Sequence, residues 1–253
     1  MTDGTDWIVP DWPAPANVRA LMTTRNGGVS DGPWAGHAGG GMNLGLGSGD
    51  AREAVLANRA LLERDLPSRP AWLQQVHGTR VVDAAMVSAQ TTVADASYST
   101  ATGTVCAILV ADCMPVLFCD RDGSRVAAAH AGWRGLAGGV LEATLTASEL
   151  ANDRTMAWIG PAIGPSRFEV GDDVRDAFIA ASGDDSVAAA FMPSTAGKWL
   201  ADLPALARLR LEACGVRDIH PSGLCTASDP RRFYSYRRDG VTGRMAALIW
   251  LDR

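Results

Sequence analysis

Three short apolar runs crowd the middle of the chain, at residues 105–110, 114–119 and 126–129. Each is short enough to be a strand buried in a sheet, and the first carries the β-branched Val105, Ile108 and Val110. Three such strands in so little chain demand a sheet with other layers packed on it. Further strands are expected at 18–24, 157–159 and 245–251, and at 71–76 and 80–85 on either side of a His77-Gly78 turn. Helical spacing marks 50–64, with Val55, Leu56, Leu61 and Leu62 on one side and Asp50 as N-cap. Helices are also expected at 136–150, 174–181 and 203–214. Strands and helices interleave without a clean βαβ repeat. The expected fold class is therefore mixed α/β (α+β), one domain over residues 1–253 with central mixed sheet or sheets flanked by helices.

Composition removes several functions. The chain has 253 residues and a net charge of −5, so it lacks the basic surface of a nucleic-acid binder. No stretch approaches 18 consecutive apolar residues, so no membrane span is expected. The start, Met-Thr-Asp-Gly-Thr-Asp, has no basic or apolar leader segment. Five cysteines at irregular spacing, with no CxxC, argue against a disulfide scaffold and for a reducing cytoplasm. The partners expected are small molecules, with the chain a monomer or small homo-oligomer. Of the basic residues only Lys198 is a lysine, and arginine suits bidentate recognition of phosphate or carboxylate. One segment, 27–49, is very rich in glycine and reads as either a flexible linker or a loop passing close to a ligand.

Three side chains stand at strand-to-loop transitions: His77 before Gly78, Cys113 in Ala-Asp-Cys-Met-Pro, and His130 before Ala-Gly-Trp-Arg-Gly. Two imidazoles and a thiolate suit a borderline-soft divalent ion, zinc above all, with a fourth position left open. The same residues also read as polar caps of strands, with Cys113 a buried filler, or as a Cys–His nucleophile pair.

The blocks Gln74-Gln75-Val76-His77-Gly78, Ala111-Asp112-Cys113-Met114-Pro115-Val116 and Ala129-His130-Ala131-Gly132-Trp133-Arg134-Gly135 resemble the YfiH-type laccase-domain family. The resemblance extends to Thr23–Ser30, Met42-Asn43-Leu44-Gly45, Ile159–Gly164, Phe168-Glu169-Val170-Gly171 and the C-terminal Phe233–Gly240 and Thr242–Met245, nearly the whole chain. It implies one zinc held by His77, Cys113 and His130. It also implies phosphorolysis of adenosine, inosine, guanosine and methylthioadenosine, with adenosine deamination. An older family label implies a copper polyphenol oxidase, and one bacterial branch implies amide editing of peptidoglycan precursors. A blue-copper centre would find an axial candidate in Met114, but four histidines are too few for a multicopper oxidase.

Within that reading Arg25, Arg134 and Arg237, with Arg238 beside them, are the candidate phosphate clamps, and Asn43 orients sugar or phosphate. Asp112 and Glu169 are the candidate proton shuttles, with Asp112 equally a partner that orients a ligand. Phe233, Tyr234 and Tyr236 stack on a purine or belong to the core. His37 and His220 read as loop residues, Cys106 and Cys119 as core, Cys214 as part of an apolar helix face, and Cys225 as a buried structural cysteine or a residue lining the pocket. Residues 35–41 lengthen the glycine loop relative to the family pattern, which bears on how substrate is covered.

Overall fold

A computed structural model describes residues 6–88, 92–150, 152–182 and 185–252, so all but Asp6 of the N-terminal hexapeptide lies outside the described residues. The chain opens with β1 (Val18–Met22), β2 (Asn26–Ser30), α1 (Arg52–Glu63), β3 (Val81–Asp83) and β4 (Ala96–Ser99). The apolar centre forms β5 (Cys106–Val110), β6 (Met114–Asp120) and β7 (Val126–Ala131), followed by α2 (Trp133–Gly138) and α3 (Val140–Ala147). Next come β8 (Thr155–Ile159), β9 (Glu169–Gly171), α4 (Asp172–Ser182), β10 (Phe191–Pro193) and β11 (Lys198–Ala201). The chain ends with α5 (Leu203–Ala213), β12 (Asp218–Pro221), α6 (Tyr236–Asp239) and β13 (Met245–Leu251).

Six strands make a mixed sheet in the order β12-β8-β6-β7-β4-β3, parallel only at its two edges. A second, antiparallel sheet has the order β1-β13-β5, and a small antiparallel sheet joins β10, β11 and β9. Burial along β6 explains its unbroken apolar run. Val116 and Phe118 point to a core shared with Leu141 of α3, Phe178 of α4 and Leu206 of α5. Leu117 and Cys119 point the other way, to Ile108 of β5 and Ile249 of β13. The far face of the smaller sheet, with Ala107, Leu248 and Trp250, is covered by Leu62 of α1 together with Met42 and Leu44. The result is four layers: helices, six-stranded sheet, three-stranded sheet, then α1 with the glycine-rich segment.

That segment is a packed covering of the outer layer. Asn58, buried on α1, donates to the carbonyls of Gly41 (3.0 Å) and Asn43 (2.9 Å) and accepts from the Val29 amide (2.8 Å). Asp50 is not the N-cap of α1. Ala51 takes that place, and the Asp50 carboxylate instead accepts from Ser30 Oγ (2.6 Å) and Asn43 Nδ2 (2.9 Å). The buried face of α1 also departs from the apolar pattern, for it includes Asn58 and Arg59 while Leu56 is exposed.

Two other expectations need correction. The helix expected over 136–150 is broken in two at Gly139, whose φ of 96° lies in the left-handed region where only glycine is unstrained. Among the described residues, 71–76 form no continuous strand and make only isolated bridges, Ala71 to Cys106 and Gln74 to Val93. Gln75 replaces the strand pairing with its side chain, donating to the Leu109 carbonyl and accepting from the Leu109 amide, both at 2.8 Å.

Candidate metal centre and its cleft

Cys113 sits in the tight connection between β5 and β6, where the chain leaves one sheet for the other. His130 is the next-to-last residue of β7, opposite Pro115 of β6. His77 lies in the loop before β3. One ligand-capable atom from each of the three lies within 4.8 Å of the other two, and the imidazole centroids are 4.8 Å apart. Gly132 leaves the room they need: a Cβ there would stand 2.6 Å from His77 Nδ1 and 3.0 Å from Cys113 Sγ.

One buried carboxylate organises both imidazoles. Asp95 accepts from the amides of Val76 (3.2 Å), His77 (2.8 Å) and Gly78 (2.7 Å), and from His130 Nδ1 (2.8 Å). The amide cradle holds His77 at φ 61°, a left-handed conformation uncommon outside glycine. The bond to Nδ1 fixes the orientation of the His130 ring and leaves Nε2 as the nitrogen that would ligate a metal, which would displace its proton. Burial alone would raise the Asp95 carboxyl, but His130 and the amides keep it below its usual range. Burial would likewise raise the Cys113 thiol, yet His130 and His77 bring it down to about 6. Burial works against the charged form of His130, while Asp95 and Cys113 push it up to about 9. The group thus favours thiolate, the form in which cysteine ligates a metal. Two imidazoles and a thiolate, with a carboxylate behind one imidazole, are a donor set that zinc accepts.

Asp112, at φ 86°, carries the connection that presents Cys113. Its carboxylate accepts from Thr226 Oγ1 (2.6 Å), Ser235 Oγ (2.9 Å) and the Arg237 amide (2.7 Å), and its carbonyl accepts from the Ile163 amide. The turn is pinned from the C-terminal part of the chain.

The three donors line a cleft of about 750 Å³, bounded also by residues 45–48, Trp72, Trp133 and Tyr236. Of the arginines singled out from sequence, Arg134 lines it, stacked on Trp133 with 4.3 Å to the ring centroid. Arg25 does not: its guanidinium donates to the carbonyls of Ala35 and Pro230 and lies over the Tyr234 ring. Arg237 donates to the Glu169 carbonyl and, with Asp112, lines a separate hollow of about 140 Å³ on another side of Cys113. Glu169 is exposed on β9 and accepts from Ser194. Asn43 is buried behind the cleft wall, with Oδ1 accepting from the amides of Gly45 (3.0 Å) and Arg244 (2.8 Å). Phe233 and Tyr234 are core, whereas Tyr236 is exposed at the cleft.

No residue of 35–41 lines the cleft. His37 lies in that loop, but His220 is on β12, with Nε2 2.7 Å from Asp218 Oδ1. Cys106 and Cys119 are buried in strands, where burial pushes each thiol up to about 12. Cys214 is the half-buried cap that ends α5, and Cys225, also half-buried, accepts from the Gly164 amide. Asp95, Arg59 and Arg244 are the site residues that pattern reading missed. The first sits in an unremarked Val-Ala-Asp-Ala stretch, the second on an amphipathic helix, and the third inside the block Thr242–Met245, where it was given no role.

The fold and site define a layered α/β protein with a His–Cys–His group, able to hold a metal ion, on the wall of an open cleft. Residues 19–252 match the family described as multi-copper polyphenol oxidoreductase laccase, and the chain belongs to that family. A purine nucleoside phosphorylase of Pseudomonas aeruginosa is 53% identical, over 97% of this chain and 98% of its own. The purine nucleoside phosphorylase YfiH of Escherichia coli is 49% identical, over 96% and 98%. Among solved structures, a Neisseria meningitidis protein, NMB0706, superposes with a TM-score of 0.92 at 50% identity, covering 98% of this chain and all of the other. YlmD from Geobacillus stearothermophilus gives 0.85 at 31% identity, covering 100% and 98%.

Proposed function

We propose that the chain is a purine nucleoside phosphorylase that also deaminates adenosine. Phosphate bonds to C1′ of adenosine, inosine, guanosine or methylthioadenosine as the bond from C1′ to the purine breaks, giving free base and sugar 1-phosphate. The observation that carries this reading is the meeting of His77, Cys113 and His130 on a cleft of about 750 Å³, in a chain whose relatives bear that name. Zinc is the metal that the donor set suits, with His77, Cys113 and His130 as its ligands. Bound zinc supplies a Lewis acid and lowers the pKa of a water it binds to about 7.

The chain's own residues have separable tasks. Asp95 orients His130 and holds the backbone that presents His77. Asp112 is a positioning residue, for its oxygens are engaged by Thr226, Ser235 and Arg237 and it acts through the turn bearing Cys113. Asn43 positions the cleft wall through Gly45 and Arg244. Trp133 and Tyr236 offer aromatic faces to a purine, and Arg134 places positive charge beside them. Arg25, Arg237 and Glu169 hold neighbouring segments together through their bonds. The unpaired cysteines suit a reducing cytoplasm.

Copper oxidase chemistry fits the donors less well. Met114 is packed in the helix-side core, and among the described residues the His–Cys–His group is the one cluster of three or more such donors. Metal-quantified protein incubated with inosine and adenosine, with and without phosphate, tests the proposal. Phosphate-dependent release of hypoxanthine and ribose 1-phosphate from inosine is expected, with no oxidation of phenols by a zinc-only sample. Failure to cleave any purine nucleoside, or hydrolysis of an amide substrate alone, would overturn it.

A further inference from the structure

The chain as a whole is acidic, yet its cleft is not. Among the described residues three arginines, Arg59, Arg134 and Arg244, line the cleft, and no aspartate or glutamate does. Two of the three are set into the wall. Arg59 is 3% exposed, its Nε and Nη2 both donate to the Leu44 carbonyl (2.9 and 2.7 Å), and its guanidinium lies 4.2 Å from the centre of the Trp72 ring. Among the described residues Arg59 Nη1 has no acceptor, and neither has Trp72 Nε1. Arg244 Nη1 donates to the carbonyls of Thr242 and Gly243, each at 3.0 Å, which leaves Nε and Nη2 without a bond among the described residues. Neither arginine makes an ion pair among those residues.

A single stretch of backbone fixes the two side chains relative to one another. Leu44 supplies the carbonyl that grips the Arg59 fork, and its amide donates to the Arg244 carbonyl (3.0 Å). Gly45 lies so close to the Arg244 stem that a Cβ there would stand 2.5 Å from Arg244 Cγ. A buried cation without an ion pair, in a cleft wall shared with a second cation that has idle donors, is costly unless a ligand compensates it. An anion does so: the Nε and Nη2 edge of Arg244 matches two oxygens of a tetrahedral oxyanion, and Arg59 adds its charge and its unpartnered Nη1. Burial lowers the Arg59 pKa to about 10, which still leaves it charged at neutral pH.

We infer that Arg59 and Arg244 form the phosphate-binding subsite of the cleft, gripping a phosphoryl group from two sides of the segment that begins at Leu44. For the anion's role as reactant this rests on the phosphorylase reading; for the anion's place it rests on the two arginines alone. The phosphoryl group belongs either to inorganic phosphate or to a phosphorylated nucleoside.

The test is calorimetric binding of inorganic phosphate, and separately of a nucleoside 5′-monophosphate, to zinc-loaded protein at matched ionic strength in chloride. Arg59→Lys and Arg244→Gln are compared with Arg134→Gln. Each of the first two changes is expected to weaken phosphate binding by about tenfold or more, the scale of one lost charge-assisted hydrogen bond, and Arg134→Gln by less. The KM for phosphate should rise in parallel while the KM for inosine moves by less than about twofold. Should Arg59→Lys not fold, Arg244→Gln decides alone. Binding of the nucleotide with none of inorganic phosphate reassigns the subsite to a substrate phosphate and overturns its role as the reactant's site. No binding of either probe, or wild-type phosphate affinity in Arg244→Gln, overturns the subsite itself. Phosphate binding that needs both arginines, in a protein that cleaves no nucleoside, overturns the phosphorylase reading and leaves the subsite standing.

Discussion

Asp95 does for this centre what no local pattern in the sequence announces. Its carboxylate accepts three consecutive backbone amides and one imidazole N–H, so one fully buried side chain sets both histidines. Asp95→Asn keeps the shape but gives up the charge and places an NH₂ against donors. It is expected to weaken zinc binding by about 10- to 100-fold, the usual cost of losing a group that orients a ligand. Competition with a chromophoric chelator measures this, and unchanged zinc affinity in a folded variant would show that the carboxylate is dispensable. The three side chains that meet were readable because each sits in a distinctive block, two of them beside an apolar run. Side-chain direction was not readable: Arg25 and Asn43 lie in equally distinctive blocks, yet one reaches two backbone carbonyls away from the cleft and the other is buried behind its wall.

At the scale of elements, the strands of the apolar centre and β13 were legible because burial on both faces writes a continuous apolar run. β4 was not, since its buried residues include Ser97 and Ser99, and β12 was not, since Asp218 and His220 spend their side chains on each other. The break between α2 and α3 turns on one glycine that a spacing count passes over. The most telling miss is on α1, where the pattern marks leucines and the structure buries Asn58 to hold the glycine-rich segment. Asn58→Ala would leave the carbonyls of Gly41 and Asn43 and the amide of Val29 without that partner. With each stranded group costing about 1–3 kcal/mol, a loss of about 3 kcal/mol is expected in denaturant unfolding. A midpoint within error of the parent would mean that the segment finds other partners.

For the molecule as a whole, the layers are held by three apolar clusters, and the His–Cys–His group stands at their margin on the cleft. Fold stability and metal loading should therefore separate. Stripping zinc with a chelator is expected to abolish phosphorolysis while far-UV circular dichroism and cooperative unfolding persist, with activity restored by added zinc. Collapse of the secondary structure on chelation would instead make the metal a folding element.

The position of Cys113 ties this chemistry to the stacking of the layers. Both imidazoles are fixed to the larger sheet, one by β7 and the other through Asp95 at the start of β4, while the sulfur rides on the bend by which the smaller sheet joins the larger. A slide of one sheet across the other would carry the sulfur away from a stationary pair of nitrogens. The distance from thiolate to imidazoles is thus a built-in gauge of how the two sheets are seated, and substitutions deep between them will be felt at the metal.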